Sequence, residues 1–405
     1  MKRLSRALLC GAACLASASV ASAQDRPKGY STVIPATVIA PENSAAAQFH
    51  ALVSPAPIPS FQYTLTAAAG LGGGTFSGSI IGRNPLLHGK TTTTVPTQVI
   101  PLVITINDTT GGTGTVTYDP TLPDGCVAGN PTDVSILVNS PIFTKTTTWL
   151  MNGVNVGTTQ YIDAFQRAQF WGQVAGTPYH VILNETTLGA QAHIFTAGTN
   201  YNAATQFGGC GFIGVVNIND MDAVVQALIT GPLAGTVNVG TFPVFQTKNV
   251  VMAITGHSIF VECCVLGYHS GLFVGGELQI YSPLVLDTSG VFDDDVSVMA
   301  HEMGEAINDP TGSNPTPLWG AIGQQPNCQN NLEVGDPLSP GGPNPPGTNT
   351  FVVPGVVIPQ YHLQELAFYS WFFGSNGLGT GAGNGFSNNG TFKGFAKLCP
   401  PGGTN

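Results

Sequence analysis

Alternation of apolar and polar residues governs the first half of the chain. Between Phe61 and Asn139, stretches such as Thr94–Asn107 and Thr113–Tyr118 are rich in Thr, Val and Ile and bounded by Gly, Asp and Pro, which predicts strands. Helical spacing takes over at Tyr161–Trp171 and again at Met221–Ile229, and Thr236–Thr255 returns to strand. Two strand-like stretches between Ile259 and Leu286, separated near Gly267–Gly276, predict a strand pair.

The helix expected next is the most informative. Asp293, Asp294 and Asp295 open it, where carboxylates complement the positive end, and Pro310 closes it by disfavouring helix at Asp309. Val296, Met299, Ala300, Met303 and Ile307 form one apolar stripe suited to burial, with His301, Glu305 and Asn308 on the neighbouring stripe at the edge of the core. Residues 310–358 read as a long Pro/Gly/Asn-rich loop, Tyr361–Phe373 as a second, aromatic helix, and Gly374–Gly390 as a low-complexity loop. The pattern as a whole predicts an α+β protein: a β-rich N-terminal part, this helix and a loop-rich C-terminal subdomain.

The N-terminus changes the picture of where the chain works. Lys2, Arg3 and Arg6 precede an apolar run from Ala7 to Val20 and the small triplet Ala21-Ser22-Ala23, the layout of a secretory signal peptide over residues 1–23. Neither Cys10 nor Cys14 has a Leu three residues before it, so no lipid anchor is expected, and no later stretch is long and apolar enough to span a bilayer. Residues 24–60, rich in Pro, Ala and Ser, read as a leader or linker, 61–250 as a β-rich mixed domain and 251–405 as the zincin-like metal-site region. Cleavage leaves Cys126, Cys210, Cys263, Cys264, Cys328 and Cys399, an even set that favours disulfides in an exported chain. A cysteine zinc site is disfavoured, because no Cys-x-x-Cys pair is present.

Charge points to chemistry. The net charge of -10 becomes -13 once the three basic residues of the signal are removed, which argues against nucleic acid or an anionic membrane as partner. Between Lys248 and Lys393 there is no Lys or Arg, yet the interval holds twelve acids, among them Glu302, Glu305, Asp309, Glu333 and Asp336. Carboxylates without basic partners must face water, stay protonated or hold a cation.

His301 and Glu305 are four apart, so on a helix both project from one face about a turn apart, within reach of one small cation. Glu302 is rotated aside, in the position that polarises a metal-bound water in zinc hydrolases of the H-E-x-x-H type. Here the second His is a Glu, and a chance H-E-x-x-E is expected only on the order of 0.003 times in a chain of this composition. The metzincin position for a third ligand is Thr311, which excludes that geometry, whereas Glu333 is similar in placement to the downstream Glu of thermolysin-type zincins. Glu333 is therefore the expected third ligand, with Asp336 supporting the metal. His269 and His362 compete as ligand or transition-state donor, His269 being the expected catalytic partner of Glu302.

The run Asp293–Glu305, followed by Asn308-Asp309-Pro310, Trp319 and Glu333-Val334-Gly335-Asp336, resembles the signature of the plant phosphate-induced, or Exordium-like, secreted proteins. The shared pattern is Val-Ser-Val-x-Ala-His-Glu-x-x-Glu, an Asn or Asp before Pro, a Trp, and Glu-(Ile/Val)-x-Asp. It covers the C-terminal third and leaves residues 24–250 unplaced. The resemblance implies a zincin-like metal motif and an association with extracellular growth signalling, and it supplies no reaction.

Two functions remain open. In the first, one divalent metal, zinc foremost, is held by His301, Glu305 and Glu333, and Glu302 activates water against a peptide or protein substrate. In the second, the same residues hold calcium or zinc without turnover in an extracellular adhesion, wall-associated or signalling protein. The extra carboxylate favours harder cations, and Gly304 costs roughly 1 kcal/mol in a helix interior unless close packing requires it. No Gly-x-Ser-x-Gly elbow supports a serine hydrolase.

Overall fold

One long strand, Thr92–Asp108, is the spine of the molecule. The computed structural model describes residues 37–38, 56–67, 73–88, 91–108, 114–196, 201–205, 210–254, 263–292, 295–320, 328–336, 350–378, 385–386 and 397–398. The expected signal peptide and most of the leader lie outside them.

Five of the spine's residues are Thr and six more are Val or Ile, side chains that suit a pleated ladder. Its two prolines sit where partners change. Pro96 immediately precedes the residues that pair in parallel with Phe242–Lys248, and Pro101 falls between the end of pairing with His180–Thr187 at Val99 and the start of pairing with Gln191–Thr196 at Leu102. A missing N–H is tolerated at such breaks in the ladder. The curled eight-stranded sheet continues from Phe242–Lys248 to Glu277–Leu286, then to Ser270–Val274 and Thr37–Val38, with Gly114–Tyr118 closing the other side of the spine.

The strand pair expected within 259–286 is the hairpin of Ser270–Val274 and Glu277–Leu286, turning on Gly275 and Gly276, both at positive φ. Gly267 lies outside that turn and serves close packing. A Cβ there would stand 2.8 Å from both Val298 Cγ1 and Leu284 Cδ2, so glycine lets the chain lie against the site helix.

That helix spans Ser297–Asn308, and all its residues are buried, where an edge-of-core position was expected for His301 and Glu305. The apolar stripe of Val296, Met299, Met303 and Ile307 contributes gross burial of roughly 6–12 kcal/mol, at about 1.5–3 kcal/mol per side chain. The helix shares one core with Tyr161–Gln169 and with residues as distant as Phe61 and Phe373, while Ile218–Thr230 covers a second core beyond Ile100. Residues on both sides of position 250 belong to one sheet, since Val244–Lys248 pairs with Ser282–Leu286.

Two expectations are corrected. Tyr361–Phe373 is not one helix: Gln360–Gln364 is a strand paired with Thr350–Pro354, and only Ser370–Phe373 is helical. Short apolar-aromatic runs fit both periods, and here the hairpin ladder decides. The 310–358 loop contains strands at Pro315–Gly320, Cys328–Asn331 and Thr350–Pro354, hidden by turn-rich composition. Of the expected disulfides, Cys126–Cys210 is formed, closing a separation of 84 residues, and Cys264 is also disulfide-bonded. No described helix is long and apolar enough to cross a membrane.

Candidate metal centre

The site helix brings His301, Glu302 and Glu305 to a point where three other segments meet. His269 arrives from the start of the hairpin, Glu333 and Asp336 from the stretch after Cys328–Asn331, and Gln364 from the end of its strand. Every one of these side chains is buried, Asp336 being the most exposed at 5%. The structure thus brings together all six of the expected site residues, His269, His301, Glu302, Glu305, Glu333 and Asp336. His362 is elsewhere: it is half-buried, with Nδ1 2.6 Å from Asp295 Oδ2. Asp295 accordingly holds the neighbouring strand, while Asp293 and Asp294 lie outside the described residues.

Hydrogen bonds fix how both imidazoles face. Gln364 Nε2 donates to the Gly335 carbonyl at 2.7 Å, which turns its Oε1 toward His301 and makes His301 Nδ1 the donor across 3.0 Å. Nε2 of His301 is left directed at the carboxylates, 3.0 Å from Glu305 Oε2, 3.6 Å from Asp336 Oδ1 and 3.9 Å from Glu302 Oε1. It is buried and aligned with none of them for a hydrogen bond. His269 is held in the opposite sense. Its Nε2 donates to the Asp309 carbonyl at 2.8 Å, and Nδ1 faces Glu302 Oε2 at 3.0 Å and Glu305 Oε2 at 3.8 Å. An imidazole with one nitrogen committed to an amide or carbonyl oxygen and the other aimed at carboxylates is oriented as a metal ligand.

Glu305 is equally well placed. Backbone N–H groups of Gly335 and Asp336 donate to its Oε1 at 2.9 and 3.0 Å, leaving Oε2 toward the histidines. Gly335 permits this approach, because a Cβ there would lie 2.6 Å from the His301 ring. Gly304 has a packing reason too, as its Cβ would lie 2.7 Å from Leu366 Cδ1.

Charge is out of balance. Five carboxylates, Glu302, Glu305, Asp309, Glu333 and Asp336, are buried around two histidines, and among the described residues the ion pairs of the cluster run to His269 or His301. Like charges within 4.8 Å of one another, as in these groups, repel by at least about 3 kcal/mol per pair at an effective dielectric of about 20. Protons relieve this in the metal-free protein. Burial, reinforced by Glu305, holds the carboxyls of Glu333 and Asp336 well above their usual range. Glu302 is raised by burial despite its bond from His269. Burial alone would raise Glu305 and lower His301, but their mutual attraction wins, bringing Glu305 down to about 2 and His301 up to about 10.

Two buried groups have ligand atoms close enough to hold a metal ion: His301, Glu305 and Asp336, and His269, Glu302 and Glu305. Asp336, expected only in support, joins the first. Glu333 approaches from the side of His269 Nε2, at 3.7 Å. The expected ligand Glu333 is therefore beside the cluster, but neither group contains it. Sequence reading missed Gln364 and the Asp309 carbonyl, which orient the two histidines; their separations of 63 and 40 residues leave no local signal. No protein-family model, no curated protein and no solved structure matches the chain.

Proposed function

We propose that this chain is an exported metal-binding protein whose buried centre takes a divalent cation on His301 Nε2, Glu305 and Asp336, tying the C-terminal segments to the site helix. The observation that carries this reading is the His301 ring: Gln364 fixes its Nδ1, and its buried Nε2 faces an excess of carboxylates without an aligned hydrogen-bond partner. Oxygen-rich donors with one imidazole suit zinc, manganese or calcium. The zincin-like fold, the likeness to phosphate-induced secreted proteins and the extracellular setting belong to the same proposal; the disulfide agrees with export.

A test is metal analysis of the purified mature chain with thermal unfolding before and after chelation. Stoichiometric metal and a lower midpoint after chelation are expected. A metal-free chain that rejects added zinc, manganese and calcium would sink the reading.

A second reading, hydrolysis, is favoured by one observation. Glu302 Oε1 is buried without a hydrogen bond, on the same side as His301 Nε2, while His269 holds Oε2. A bound divalent cation would supply Lewis-acid activation of water there, and Glu302 would accept the proton against a peptide substrate. Glu302→Gln would then keep its metal and lose cleavage of a generic protein substrate. Zinc without turnover in the wild type removes this reading and leaves the first.

A further inference from the structure

We propose that the centre is built for two divalent cations, bridged by Glu302 and Glu305; this rests on the metal-binding reading above. The two groups of candidate ligands share Glu305 and otherwise use different side chains, each with its own histidine. His301 Nε2, Glu305 Oε2 and Asp336 Oδ1 define one position, and His269 Nδ1, Glu302 Oε2 and Glu305 Oε2 define the other. Both histidines are committed on their far nitrogen, His301 to a side-chain amide oxygen and His269 to a backbone carbonyl, so neither serves merely as a donor within the cluster.

Glu302 links the positions. Its Oε2 lies 3.0 Å from His269 Nδ1, and its Oε1 lies 3.9 Å from His301 Nε2, so one oxygen faces each imidazole. That Oε1 is buried and makes no hydrogen bond, which the cation on His301 would remedy while Oε2 serves the second position beside His269. Glu305 cannot use Oε1 for bridging, because two backbone N–H groups occupy it, so Oε2 alone faces both histidines, at 3.0 and 3.8 Å. Paired carboxylate bridges of this kind hold metals about 3.5–4 Å apart in two-metal sites.

The charge of the cluster has room for two ions as well as one. With neutral histidines and all five carboxylates ionised, one divalent ion leaves the buried cluster at -3, and two leave it at -1. Of the ions that suit the first position, zinc and manganese fit a bridged pair, rather than a large calcium with its demand for six to eight oxygens.

The experiment loads the metal-free mature chain with manganese, counts metal per chain and records electron paramagnetic resonance. Two manganese ions per chain with an exchange-coupled spectrum support the proposal. His269→Gln should halve the count and restore an isolated-ion spectrum; if that variant fails to fold, the wild-type count and spectrum decide alone. One ion per chain with an isolated-ion spectrum overturns the second position and leaves the single-centre reading intact. No bound manganese, zinc or calcium overturns both.

Discussion

Two adjoining helices that bury charged side chains solve the problem differently. In Tyr161–Gln169, Asp163 is fully buried, yet both its oxygens are matched: Thr159 Oγ1 and His180 Nδ1 serve Oδ2 at 2.6 and 2.7 Å, and the Val181 N–H serves Oδ1 at 2.7 Å. Arg167 donates to the carbonyls of Val156, Thr177 and Tyr179. Gln160 answers two carbonyls and one N–H, and only the amide of Gln166 goes without. Donors and acceptors balance without any ion. The adjoining Ser297–Asn308, joined to it by Gln169 Nε2 donating to Asn308 Oδ1 at 3.2 Å, carries acceptors in excess. A buried polar helix face thus needs no cation in itself; what calls for one is an excess of carboxylates over donors.

The comparison is broken most severely by Glu305→Gln. This change removes the carboxylate common to both candidate groups, abolishes metal binding and leaves His301 without its partner. We expect a loss of about 3–5 kcal/mol, read as a fall in thermal midpoint on the order of 10 °C. Asp163→Asn should cost about 1–3 kcal/mol, and the drop should be the same with and without chelator, because that network involves no metal. An Asp163→Asn loss that appeared only in chelated protein would mean the two helices are not independent.

Gln364→Ala sharpens the comparison by touching only orientation. Metal affinity should fall about 10- to 100-fold, measured by competition with a chromophoric chelator, with the number of ions per chain unchanged. The smallest effect is in protons. Burial opposes charge on His301, but Glu305 raises it to about 10, so in the metal-free protein this ring is protonated at neutral pH. Its contribution to metal-free stability is complete below the unfolded value of about 6.5 and is lost as pH rises through about 10. Metal must displace that proton, so binding at pH 7 should release protons, and affinity should rise with pH up to about 10. Calorimetry in buffers of different ionisation enthalpy reads this directly, and buffer-independent heats would contradict it.

The helix and its motif were legible because their information is local. The spacing of His301 and Glu305, the apolar stripe and Pro310 lie within one short stretch, and the missing Lys and Arg from 249 to 392 pointed to a cation before any geometry was known. Asp336 was visible as a nearby acid, although its place with His301 and Glu305 depends on how Gly335 lets the chain pass the imidazole. Gln364 carried no signal, since its role depends on a hairpin whose aromatic run fits helix and strand equally. The strands within 310–358 were obscured for a related reason: Pro, Gly and Asn dominate their surroundings, and pairing partners rather than propensity hold them in place.

The most direct test of the central claim is anomalous diffraction from crystals of the mature chain grown with manganese. The account predicts an anomalous peak within bonding distance of His301 Nε2, Glu305 Oε2 and Asp336 Oδ1. Crystals with these side chains ordered, no peak at the cluster and its carboxyls hydrogen-bonded to one another would contradict it.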